Sequence, residues 1–183
     1  MTEEPRFARL RRAPLDKFPG ASEVPEAGMC LSVFVLLRPP GRDDAVLLGQ
    51  PAETAPWWEI GGVDPGRLDR IGERWMLPSR QLRLFEGPDE AAKSILREQL
   101  GSAPLALSGP QVFSDPADAP FPETADRHWD LHFVYSGRWP SATAPRSPAW
   151  RRLEFLDLRR LARADVARGQ ADVLELAGLS PTG

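Results

Sequence analysis

Residues able to do chemistry are few in this chain, and they gather in three places. The only two histidines fall within Arg127-His128-Trp129-Asp130-Leu131-His132-Phe133. On a strand successive side chains alternate between faces, so His128, Asp130 and His132 share one polar face and Trp129, Leu131 and Phe133 the apolar one. Imidazole and carboxylate in that pattern suit a divalent transition metal, and protonatable imidazoles suit a phosphate. The same pattern also describes a strand with one wet face. In the second place, Trp57-Trp58-Glu59 runs ahead of Gly61-Gly62. Trp58 can stack on a nucleobase and Glu59 can accept from its amino edge, although burial is the commoner fate of an indole. The third is the stretch from Glu86 to Gly101, in which Ile95, Glu98 and Gln99 are spaced to share one helix face. Of those three only Glu98 is a carboxylate. Gln99 offers a carbonyl oxygen but no charge, and Ile95 can neither ligate nor transfer a proton. Cys30 lies in an apolar run with no base beside it and is not read as a nucleophile. Asp115, Asp118, Glu123 and Asp126 belong to a Pro-rich stretch and are read as solvated.

The elements that must position these residues are punctuated by proline. Residues 1–28 mix Pro5, Pro14, Pro19 and Pro25 with arginines and predict an extended N-terminal arm lying on a domain over 29–183. Met29 to Leu37 is apolar on both faces, as for a central strand covered on two sides. Ala45 to Leu48 follows at hairpin distance and is predicted to return against it. Gln50 to Gly72 reads as loop. A short strand is expected from Gln81 to Phe85. The clearest helix spans 89–100: Gly87 can cap it, Pro88 suits its first position, Asp89 and Glu90 sit at the positive end of the dipole, and Gly101 closes it. Its stripe of Ala92, Ile95, Leu96 and Leu100 faces a core. Further strands are expected at 105–107, 111–113, 129–135 and 150–156, then a terminal helix near 168–177 stopped by Gly178. The pattern predicts an α+β fold with a curved mixed sheet sandwiched between two main helices.

Length and composition bound the function classes. A chain of 183 residues is enough for one domain with a real core. A formal charge of −3 presents no field to draw a nucleic acid or a membrane surface, so a nucleic-acid partner is not expected. One cysteine excludes an internal disulfide framework and points to a reducing, cytoplasmic setting. No stretch approaches the roughly 20 apolar residues of a spanning helix, so no membrane role is expected.

The segment Trp75 to Gly101, WMLPSRQLRLFEGPDEAAKSILREQLG, resembles the Nudix box. That motif runs Gly, five residues, Glu, seven residues, then Arg-Glu-apolar-x-Glu-Glu-x-Gly-apolar. Anchored on Gly101, Arg80 stands at its first glycine, Ser94 at its arginine, and Glu86, Leu96, Glu98 and Gly101 keep the expected types. With the flanking strands and terminal helix, the likeness covers roughly residues 29–178. The resemblance implies a Nudix-like α/β/α sandwich. It also implies a site in which a carboxylate cluster binds Mg²⁺ or Mn²⁺, which polarises a phosphoryl oxygen and activates the water that cleaves a diphosphate bond.

By that resemblance Glu98 and Glu86 are the candidate catalytic residues, Glu98, Gln99 and Glu86 the candidate metal ligands, and Trp58, Glu59, His128, Asp130 and His132 the candidate substrate contacts. Glu86 would need Lys93 or Arg97 as ion-pair partner, since Ser94 cannot serve. Two functions follow as expectations. One is a hydrolase-like protein acting on or binding a small nucleoside diphosphate-linked compound. The other is an inactive module of the same fold that binds a nucleotide or a protein. A third expectation is a mainly structural or assembly role, with a homodimer formed through the arm and an apolar surface.

Overall fold

The computed structural model describes residues 9–10, 29–102, 105–116, 129–167 and 169–181. Strand β1 (Arg9–Leu10) is the described part of the expected arm, and it lies antiparallel on β2 (Met29–Arg38). The rest of the arm lies outside the described residues. Strand β3 (Ala45–Pro51) follows, then two short helices, α1 (Trp57–Gly61) and α2 (Pro65–Ile71), and strand β4 (Ser79–Gln81). Helix α3 (Pro88–Ser94) continues without a break into a π turn over Ile95–Gln99. Strands β5 (Leu107–Pro116), β6 (Trp129–Arg138) and β7 (Trp150–Asp157) lead to α4 (Gln170–Leu176).

Strand β2 is the axis of a five-stranded mixed sheet. β6 runs parallel to it from Met29↔Trp129 to Arg38↔Arg138, and β5 lies antiparallel on the far side of β6. On its other edge β2 takes β1 and then β4, the latter with Val33 opposite Arg80. The pleat sorts the core into two layers. Val33, Val35 and Leu37 pack with Ala91, Ala92, Ile95, Leu96 and Leu100 of the α3 segment. Phe34 and Leu36 pack on the opposite side with Val173 and Leu174 of α4. The expected mixed sheet between two main helices is therefore present, and the apolar stripe of the α3 segment faces the core as expected.

Several local expectations need correction. β3 does not return against β2, both of whose edges are already occupied; it pairs with β7 in a separate two-stranded sheet. The stretch from 50 to 72 is not all loop, because Pro56 and the Asp64-Pro65 cap start two short helices. The short strand lies at 79–81 rather than 81–85, and of the strand expected at 105–107 only Leu107 is in a strand, the same one that holds 111–113. The helix expected to run to 100 leaves the α register at Ile95. Its end is closed by Ser102 N–H donating to the Leu96 carbonyl at 3.0 Å, with Gly101 at φ 61. The indole of Trp150 donates to the Gln99 carbonyl at 2.9 Å.

Candidate functional site

β4 is only three residues long, yet it decides the site. Cross-strand partners share a face of the sheet, so Arg80, opposite Val33, points to the α3 side. Its side chain is fully buried there and reaches both carboxylates kept at the motif positions: Nη2 is 3.5 Å from Glu86 Oε2 and Nη1 is 3.3 Å from Glu98 Oε2. Glu86, in the loop before α3, is fixed at the same oxygen by the Arg83 backbone N–H at 3.0 Å. Glu98, with its side chain 21 % exposed, also meets Arg83 Nη2 at 3.6 Å and Arg97 Nη2 at 2.9 Å. Arg83 Nη2 donates in turn to the Glu59 carbonyl at 2.8 Å, which ties α1 to the cluster.

Three guanidinium groups thus surround two carboxylates. Burial pulls Arg80 below its ordinary value, while Glu86, and then Glu98, pull it back up; a guanidinium keeps its proton in such a setting. Glu86 finds its ion-pair partner in Arg80, not in Lys93 or Arg97 as expected.

Gln99 does not join this cluster. It is fully buried; its Oε1 accepts from Ser79 N–H at 3.1 Å, and its Nε2 donates to the carbonyls of Ser79 at 2.7 Å and Ile60 at 3.0 Å. Its carbonyl oxygen is therefore spent on backbone and does not present itself as a ligand. Ile95 is likewise buried in the core, so the face shared by 95, 98 and 99 brings only Glu98 to the rim.

A divalent cation needs several unshared oxygens. Here the oxygens of Glu98 face three cations and the oxygen of Gln99 faces an amide, and among the described residues no group of three or more His, Cys, Asp or Glu side chains is placed to hold a metal. The residues present do not fit Mg²⁺ or Mn²⁺.

The strand at 129–138 does not supply replacements. His132 is buried, with its ring 5.2 Å from and edge-on to that of Phe34 on the α4 side of the sheet, and alternation puts Asp130 on that face too. Glu98 belongs to the opposite face. The expected wet face is packed at His132 and half-buried at Asp130. His128 lies outside the described residues.

At the other end of the cluster, Trp57 is buried edge-on against Trp150, and Trp58 is 38 % exposed. Trp58 lines a cavity of about 370 Å³ together with Glu53, Leu68 and Asp69. Glu59 is exposed beside it. Phe85, at φ 66, presents a ring 97 % exposed in the loop that carries Arg83 and Glu86. Spacing alone missed Arg80 and Arg83. The available signal was an arginine standing where the motif has a residue without a side chain.

No family model and no curated protein matches the chain. Among solved structures it is similar to the NUDIX domain of Shewanella oneidensis NrtR complexed with ADP ribose, at 16 % identity and a TM-score of 0.49, over 82 % of this chain and 86 % of that one. It is also similar to a MutT NUDIX hydrolase from Burkholderia pseudomallei, at 18 % identity and a TM-score of 0.49, over 80 % and 96 % of the two chains. A third is the E. coli dihydroneopterin triphosphate pyrophosphohydrolase, at 13 % identity and a TM-score of 0.46, over 70 % and 80 %.

Proposed function

We propose that this chain is a Nudix-like protein that binds a small nucleoside diphosphate-linked compound and does not hydrolyse it by metal-assisted chemistry. The observation that carries the reading is Arg80. It stands at the first glycine of the motif in WMLPSRQLRLFEGPDEAAKSILREQLG, and the side chain a glycine lacks lies between Glu86 and Glu98 as a fixed positive charge. A guanidinium there balances the carboxylates without lowering the pKa of a bound water, so the hydrolytic nucleophile has no source. Binding needs less. Trp58 offers a face for a base on α1, next to the carbonyl that holds Arg83.

ADP-ribose is a suitable probe. The expected outcome is a rise in melting temperature on adding it, since a ligand at about 100 times its Kd stabilises by about 2.7 kcal/mol, with no release of AMP in Mg²⁺ or Mn²⁺ beyond that of a Glu98→Ala control. Metal-dependent turnover that Glu98→Ala abolishes would overturn the non-hydrolytic reading, and absence of any thermal shift would overturn the binding.

A further inference from the structure

The charge of the Arg80 cluster does not cancel. Arg80, Arg83 and Arg97 bring three positive charges and Glu86 and Glu98 two negative ones, leaving one in excess. The excess sits on the outer pair. Arg80 compensates both carboxylates from inside the protein, with its side chain wholly buried, whereas the side chains of Arg83 and Arg97 are 35 % and 65 % exposed. Hydrogen bonding is also incomplete: among the described residues, buried Arg80 Nη2, which faces Glu86 Oε2 at 3.5 Å only as an ion pair, and buried Arg83 Nε make no hydrogen bond. Buried N–H groups of that kind are costly to leave unmade, and charged ones more so. An anion with several oxygens is what the exposed outer pair, with one positive charge in excess, lacks.

We infer that Arg83 and Arg97, backed by buried Arg80, form a metal-independent binding site for a diphosphate group. Planar guanidinium forks match phosphoryl oxygens in geometry and need no bridging cation. Glu98 then acts as an internal competitor. Its carboxylate holds Arg83 and Arg97 in place in the free protein and is partly displaced from them when the diphosphate arrives. This deepens the proposed function, whose ligand would deliver its diphosphate here, but it is tested without the nucleoside.

Inorganic pyrophosphate is titrated into the full chain by calorimetry, once in EDTA and once in Mg²⁺. Binding is expected in EDTA and is expected to weaken as salt rises. Arg83→Gln and Arg97→Gln should each weaken it about tenfold, as for loss of one charge-assisted hydrogen bond, with Arg83→Lys recovering part of the loss. Glu98→Gln should tighten it severalfold by removing the competitor, where a cation site would lose affinity. Since Glu98→Gln also takes a partner from buried Arg80, its melting is checked first, and the two variants at exposed guanidinium groups decide the matter if it does not fold. Binding seen only with Mg²⁺, affinities unchanged in both arginine variants, or no binding of pyrophosphate would overturn the site. Pyrophosphate binding without ADP-ribose binding would sink the nucleotide reading alone. ADP-ribose binding indifferent to both arginines would sink this site alone.

Discussion

Gln99 donates to two backbone carbonyls and accepts from one N–H, all from segments 20 to 39 residues away. It pins the end of the π turn to β4 and to α1, so its amide is a structural tie and the carboxylate of the motif would be a misfit at this place. Gln99→Glu replaces a donor by an acceptor opposite two carbonyls and buries a charge. The expected cost is at least about 2 kcal/mol in urea denaturation, with no gain of hydrolysis. Unchanged stability would show that the site can take the acid after all. At this scale the residue types at 80, 95, 98 and 99 were legible, including that one carboxylate remained of three on the helix face. Their partners were not. A spacing argument places side chains on one helix and says nothing of what a strand 18 residues upstream brings against them, and here that strand brings Arg80 to Glu98.

Among the elements, α3 was the most legible: Gly87 precedes it, Pro88 occupies its first turn and Gly101 ends the π turn that extends it. What docks it was hidden. Tyr135 of β6 donates its hydroxyl to the carboxylate of Asp89 in the first turn of α3, joining helix to sheet. Burial, and after it the hydrogen bond and charge of Asp89, push the phenol well above its ordinary value of 10.0. A raised folded-state value means that the native protein keeps the proton longer than the unfolded chain. The contribution to stability is therefore complete below pH 10 and is lost as pH climbs through the alkaline range. Tyr135 is the only tyrosine, so tyrosinate absorbance reports on it alone. The midpoint should lie above 10 in the native protein and return to about 10 in denaturant. Tyr135→Phe should flatten the fall of stability with alkaline pH. Coincident native and denatured titrations would refute the docking. The two small helices α1 and α2 escaped the sequence because helices of five and seven residues carry too few periodic positions to register.

For the molecule as a whole, Trp150 is one of the links between the two-stranded sheet and the rest, beside the Gly49–Met76 backbone bridge and the core side chains of β3. Its indole donates to Gln99, meets Trp57 edge-on at 4.8 Å and lies against Gly49 of β3, where a Cβ would come within 2.2 Å of the ring. Gly49→Ala must push the ring out of both contacts. The expected loss is about 1–3 kcal/mol or more, read from thermal or urea melts, together with weaker ADP-ribose binding as α1 and the π turn shift. A neutral substitution would mean that Trp150 does not clamp the layers. No helix among the described residues is long and apolar enough to cross a membrane.

By itself the sequence determined the class of the fold, the central strand, both main helices and the thinning of the carboxylates. Each of these is written in local periodicity, in cap residues or in the identity of single side chains. Only the tertiary structure decided that β3 pairs with β7, that His132 is packed against Phe34 on the face away from Glu98, and that Arg80 lies between the remaining acids. Those outcomes depend on which strand edges were already taken and on the face to which each register turned its side chains. Pairings of that kind join residues far apart in the chain, and no local pattern contains them.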